Sequence, residues 1–194
     1  MTEDKPTTAE QERRRFFRID DEVGLALTPV AASDEEAAIA AHQGSTNRIG
    51  LLNELRGMRY EHLPQQRSLE SKFPTVASYI RILERQLDIL AQAIDGRDDF
   101  PSKPNTMANI SAQGLSLMTD EVFAIDSMVS VKLALFPDLC RIEALGRVVR
   151  GETTSPKADV AIEFTHLRDA DREAIIRHIY LLQRQRLQAR YEDE

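Results

Sequence analysis

Tryptophan is absent from the 194 residues and aromatic side chains make up only 6% of them, so a core has to be filled mainly by aliphatic groups. Cysteine occurs once, as Cys140. That excludes a disulfide within the chain and suits a reducing compartment. No stretch approaches the roughly 18 consecutive apolar residues of a membrane-spanning helix, and the polar, acidic opening Met1–Glu12 does not read as a secretory signal. Cytoplasmic is the simplest placement on this reading. Basic residues are in the minority, 25 against 32 acidic ones, for a net charge of −7. A protein that coats polymeric nucleic acid normally carries a basic face, so that class is disfavoured. A small anion remains admissible wherever positive charge is locally concentrated.

Catalytic patterns are missing as well. His42, His62, His166 and His178 lie in unrelated segments without metal-ligand spacing and read as structural or surface residues. Cys140 follows Pro137-Asp138-Leu139 at a predicted strand start with no base beside it, so it reads as inert. There is no phosphate-binding Walker loop, nucleophile elbow, zinc-helix motif or calcium loop. Asn109-Ile110-Ser111 fits a glycosylation sequon, but nothing else points to secretion. The reading is a protein that is not an enzyme, with no metal and no cofactor.

What is present is a chain with 42% hydrophobic and 29% charged residues, enough to build a sizeable core. Its length suits one domain with an elaboration, or two small domains. Residues 1–12 carry no apolar period and read as a disordered tail. Val23, Leu25 and Leu27 then alternate with small residues, predicting a strand over Ile19–Val30 that ends near Pro29. Ser33 and Glu36 have the spacing of a capping box, predicting a short helix to His42. Gly44–Asn47 reads as a break and Asn47–Met58 as a second helix.

The strongest period follows. Leu69, Phe73, Val76, Ile80, Leu83, Leu87, Leu90 and Ile94 are spaced alternately by four and three residues, an apolar seam of more than three heptads. Pro74 marks the predicted start of the helix proper, and Asp95-Gly96 its stop. Tyr79, Ile82, Ile89 and Ala93 form a second, weaker line beside the seam. Two lines fit a bundle of three or four helices better than a two-stranded coil, so a tetramer is preferred over a dimer. The alternative is a core helix packed within one chain, although such helices rarely keep so strict a spacing.

Residues 97–106 form a linker, after which the period returns to two. Ile110, Leu115 and Leu117 flank a turn. Met128–Leu135, Leu139–Val149 and Asp159–Phe164 are further strands, as expected of a small barrel or sandwich. A final helix begins near Asp169, with Ile175, Ile179 and Leu182 as its buried stripe and Arg184, Arg186 and Arg190 suiting the negative end of its dipole.

Two segments carry binding chemistry. Arg13, Arg14, Arg15 and Arg18 flank Phe16-Phe17 just before the first strand. Guanidinium forks pair with phosphate and with the N7/O6 edge of guanine, and they stack on aromatic planes. The alternative is a solvated basic tail. Asn109 and Ser111 project from one face of an extended segment, and Gly114 suits a turn that needs positive φ or close backbone approach. Alone, that is an ordinary hairpin turn.

Taken in order, Arg14-x-x-x-Arg18 and Asn109-x-Ser111-x-x-Gly114 resemble the paired signature of the PilZ family, and Asp171–Arg184 resembles the helix that closes that fold. The resemblance covers about residues 13–30 and 105–187. It implies an α+β protein: a small antiparallel barrel with a C-terminal helix (13–30 and 105–194), split by a helical oligomerisation insertion over 31–104. It also implies a bacterial receptor for cyclic di-GMP. Arg14 and Arg18 would grip phosphate and guanine with Arg13 and Arg15 as auxiliaries, Asn109 and Ser111 would bond a guanine, and Gly114 would shape the turn. Ala161 stands where the family often has glycine. A receptor of this kind would signal to a downstream protein that the sequence does not name. The competing reading is an oligomeric scaffold whose barrel binds no nucleotide.

Overall fold

Six stretches in which apolar residues recur at every second position form strands β1 (Arg18–Pro29), β2 (Thr106–Ser111), β3 (Gly114–Thr119), β4 (Met128–Leu135), β5 (Cys140–Thr154) and β6 (Lys157–His166). They are seen in a computed structural model that describes residues 17–49, 51–95, 100–137, 140–154 and 157–192. The expected tail 1–12 and Arg13–Phe16 lie outside the described residues. The strands close into an antiparallel barrel in the order β1-β2-β3-β6-β5-β4. Closure is possible because β1 pairs twice: its first half, Arg18–Val23, lies against β2, and its second half, Gly24–Pro29, lies against β4. A closed barrel leaves no unpaired sheet edge.

The inward positions are aliphatic, as a chain so poor in aromatics requires. Val23, Ile110, Val131, Leu133, Ile142, Val160 and Ile162 are each no more than 2% exposed. Phe123 and Phe164 are the aromatic members of this core among the described residues.

Between β1 and β2 run four helices, α1 (Glu35–Ile49), α2 (Leu51–Glu61), α3 (Leu63–Lys72) and α4 (Pro74–Asp95). Three expectations need correction here. The break over Gly44–Asn47 is helical, within α1. Gly44 is solvent-facing with nothing near its missing side chain, and one such glycine costs only about 1 kcal/mol relative to alanine. The capping box does not form: Ser33 lies inside a 3-10 turn, Ala32–Asp34, and its hydroxyl donates to Asp34 instead. The apolar seam is also not one helix. Leu69 belongs to α3, and Phe73 sits at a corner where its N–H donates to the Leu69 carbonyl. The four-three spacing runs through this corner because both helices are amphipathic.

From Pro74 onward the seam is helical as predicted, and α4 folds back antiparallel on α2 and α3. Glu70 pairs with Arg81 at 3.2 Å, and Arg59 reaches both Glu84 and Asp88 at 3.4 and 3.2 Å. This hairpin leaves most of α4 uncovered. Val76, Tyr79, Ile82, Leu83, Leu87, Ile89 and Leu90 are 42–62% exposed, whereas Ala77 is the one buried side chain among the described residues of that helix. The structure of one chain therefore does not pack the seam as an ordinary core helix.

Helix α5 (Asp169–Glu192) closes the barrel with Ile175 and Ile179 buried and Leu182 partly so. Its first turn is joined to α2 by a buried polar cluster. The Asn53 amide donates to Asp171 Oδ1 at 2.7 Å and to the Arg141 carbonyl at 2.8 Å, and the Cys140 thiol donates to Asn53 Oδ1 at 3.1 Å. Arg168 completes the cluster, with Nε 2.7 Å from Asp171 Oδ2. Burial pushes the Asp171 carboxyl up from its ordinary range, against the pull of Arg168 and Asn53.

Candidate ligand-binding site

The outward face of β1, β2, β3 and β6 gathers the binding residues into two rungs. Strand alternation turns Ile19 inward and leaves Arg18 and Asp20 outside. Across the ladder, Arg18 faces Ser111, Ser111 faces Gly114, and Gly114 faces Glu163. The neighbouring rung is Asp20, Asn109, Ser116 and Ala161. All of these except Asp20, together with Gln113 and Arg150, line a groove of about 620 Å³, within the usual size of small-molecule sites, about 300–1,000 Å³; Asp20 stands at its edge as the partner of Asn109.

Each polar group is held in place. The Asn109 amide donates to Asp20 Oδ1 at 2.7 Å, which leaves its own carbonyl oxygen and the second carboxylate oxygen as acceptors on the same face. Ser111 tightens the β2–β3 turn, its hydroxyl donating to the Gly114 carbonyl at 3.1 Å and accepting from the Gln113 N–H at 3.3 Å. A hydroxyl has two lone pairs, so one remains. A side chain at Gly114 would place its Cβ 2.1 Å from the Ile162 carbonyl oxygen. Close approach between β3 and β6 is thus what demands glycine there. Arg150 pairs with Asp159 at 2.9 Å.

The β1 end of the groove is tied to α5. Phe17 packs on Tyr180 with ring centroids 6.3 Å apart, Arg186 donates to the Asp20 carbonyl, and His178 Nε2 lies 2.8 Å from Asp21. Arg172 donates to the Ala112 carbonyl at 2.7 Å, bracing the turn.

Of the residues singled out from sequence, Arg18, Asn109, Ser111 and Gly114 come together in this groove. Arg13, Arg14 and Arg15 lie outside the described residues. Asp20 and Ser116 were missed, although both are two residues from a nominated position and alternation puts them on its face. Gln113, Arg150 and Glu163 were missed too. The last two arrive through the β3–β6–β5 pairings, which nothing local in the sequence announces.

The sequence profile of the PilZ domain matches residues 84–181, just over half of the chain. The chain belongs to the PilZ family. The matched span contains Asn109-x-Ser111-x-x-Gly114 and stops short of β1, so the strand carrying Arg18 joins the PilZ barrel from beyond it. PilZ domains are binding domains, and the family is one of cyclic di-GMP receptors.

Among solved structures, a pathogenic protein from Xanthomonas campestris, described as a tetrameric PilZ domain self-assembled via an unusual helical bundle, aligns over 92% of this chain and 97% of its own. The TM-score is 0.53 at 14% identity, which is a likeness of fold. The Bacillus subtilis inhibitor of motility aligns over 41% of each chain with 24% identity and a TM-score of 0.34. No curated protein matches the chain. Among the described residues, no helix is long and apolar enough to cross a membrane, and no group of three or more His, Cys, Asp or Glu side chains could hold a metal ion.

Proposed function

We propose that this PilZ protein is a cytoplasmic receptor for cyclic di-GMP that works as a homotetramer and passes the signal to a protein partner. The observation that carries the reading is the convergence of Arg18, Asn109, Ser111 and Gly114, drawn from two distant stretches of sequence, on one groove. Arg18 supplies a fork for phosphate or the guanine N7/O6 edge. Asn109 and the Asp20 carboxylate it orients accept from the guanine N1–H and exocyclic amine, and the remaining Ser111 lone pair adds a third acceptor. Arg14, with Arg13 as auxiliary, supplies further forks for the phosphates and bases. Ala161, in place of the glycine common in the family, lines the groove floor without closing it.

The exposed face of α4 supports the tetramer. Seven large apolar side chains on one helix form the kind of contiguous surface that soluble proteins cover by association. The fold-level likeness to a PilZ protein that assembles through a helical bundle favours four chains over two. Val76, Ile80, Leu83, Leu87, Leu90 and Ile94 are the seam residues on α4, with Leu69 and Phe73 at its edge.

Calorimetric titration with cyclic di-GMP tests the ligand half, with the Arg14→Ala/Arg18→Ala variant alongside. Micromolar or tighter binding that the variant loses is expected. Absence of heat and of any thermal shift with the wild-type protein would leave an oligomeric scaffold on a PilZ barrel.

A further inference from the structure

A second cavity, of about 370 Å³, lies where α2 meets α4 and α5, and it shares no lining residue with the groove. Three of its wall residues are arginines, Arg56, Arg59 and Arg177. That is a concentration of positive charge in a chain of net charge −7. They are not equivalent. Arg59 is compensated, with Asp88 accepting two bonds of 3.2 Å and Glu84 at 3.4 Å. Among the described residues Arg177 has Glu173 as its ion-pair partner, 3.6 Å away and 65% exposed. Its guanidinium lies over Gly57, where a Cβ would come within 3.6 Å. Arg56 has one guanidinium nitrogen, Nη1, buried without an acceptor among the described residues.

A buried guanidinium nitrogen left without an acceptor is costly. An anion entering the cavity would satisfy Arg56 and engage Arg177 at once. Asp88, also in the wall, is taken up by Arg59, and Leu63, Ala174 and Leu181 add an apolar side beside the polar Asn53 and His178, so a bare inorganic ion would leave that side unused.

We propose that this cavity binds an organic phosphate monoester, the dianion engaging Arg56 and Arg177 and its apolar or aromatic body lying against Leu63, Leu181 and Tyr60. A dianion matches the two undercompensated cations; a carboxylate would leave one of them unmatched. Planar guanidinium forks present paired donors to phosphate oxygens. The site is independent of the cyclic di-GMP reading, and because it joins α2 to α5, its ligand would bridge the helical insertion and the barrel's closing helix.

The test is calorimetric titration of the full chain with phenyl phosphate, inorganic phosphate and benzoate, with hydrogen exchange mapped on the wild-type protein. Phenyl phosphate is expected to bind more tightly than either fragment and to protect α2 and α5 around Arg56 and Arg177. Arg56→Gln and Arg177→Gln should each weaken it about tenfold or more, while Arg18→Ala leaves it unchanged. The proposal is overturned by no binding up to about 10 mM, by benzoate binding equally well, or by protection that falls on β2 and β3 and vanishes in Arg18→Ala. The exchange map on the wild type decides the location even if an arginine variant does not fold.

Discussion

Replacing Asn53 with alanine should destabilise the protein far more than any other single polar truncation in the helical insertion. Asn53 is 1% exposed and Asp171 is 0% exposed. The substitution removes the donor to a buried carboxylate, the donor to the Arg141 carbonyl and the acceptor of the Cys140 thiol. Each buried acceptor left without its donor costs about 1–3 kcal/mol, more when it is charged. The two acceptors together therefore predict about 2–5 kcal/mol, with water entering the vacated space moderating the upper end. Taking about 3 kcal/mol and an m-value of about 2 kcal/mol/M in urea, the midpoint falls by about 1.5 M. The assay is urea unfolding at one fixed protomer concentration, because association makes the midpoint concentration-dependent. Gln66→Ala, which loses only a 3.5 Å contact to Glu84 at the helix surface, is the control and should shift stability by less than about 0.5 kcal/mol. An Asn53→Ala midpoint within about 0.3 M of wild type, at unchanged slope, would refute the reasoning.

Gly114→Ala drives a methyl group onto the Ile162 carbonyl; overpacking of this kind costs about 1–3 kcal/mol, a fall of several degrees in melting temperature by calorimetry, together with weaker ligand binding. An unchanged melting temperature would show that β3 and β6 part freely there. Leu83→Glu/Leu90→Glu places charge on the exposed face of α4 and should reduce the sedimentation mass to that of one chain while far-ultraviolet dichroism stays native. Persistence of the oligomer would remove α4 from the interface. His42 is held below its ordinary value of 6.5 by burial, which outweighs the upward pull of Glu143 and is reinforced by Arg168 and His166. The native state then binds fewer protons than the unfolded one, so this histidine's contribution is full above pH 6.5 and lost as pH falls below it. Urea midpoints between pH 5 and 8 should show that loss, and His42→Gln should flatten it. Asp171 has the opposite sign. Its carboxyl is raised from 3.8 by burial, so stability falls as pH rises from 3.8 through the folded value, and Asp171→Asn should flatten that acid branch.

The barrel was legible because its strands alternate: Val23, Leu25 and Ile110 fall on the inner face that spacing predicts, and helix α5 starts at Asp169 with the expected buried stripe. Half of the groove was legible for the same reason, since Arg18, Asn109 and Ser111 share an outward face by alternation. Glu163 and Arg150 were not, because only the long-range pairing of β6 with β3 and β5 brings them there. The start of α4 at Pro74 was legible, but the separate helix α3 before the corner at Phe73 was hidden by periodicity itself. A seam on one amphipathic helix continues in spacing onto the next, and a helix reversal leaves no mark on a count of fours and threes. Pro64, near the start of α3, and Pro74, at the start of α4, were the local signals that two helices were present. Asn53 was the largest omission: a single polar residue on a helix carries no hint that it meets Asp171 more than a hundred positions later.

The two ends of α5 are anchored very differently, and that difference bears on how the groove and the insertion can influence each other. At its first turn, Asp171 is buried with Asn53 and Arg168, in a low-dielectric setting where a broken bond is expensive. Ten residues onward the ties to β1 are exposed: Tyr180 against Phe17, and Arg186 on the Asp20 carbonyl. Exposed contacts of that kind are weak and exchange readily with water. The C-terminal half of α5 is therefore the part free to respond when the strand bearing Arg18 engages a ligand. Its N-terminal half stays fixed to α2, and through Arg59, Glu84 and Asp88 α2 is braced against α4. A response at the groove that reached the α4 surface would have to travel through the middle of α5, where His178 meets Asp21 and Arg177 lies over Gly57.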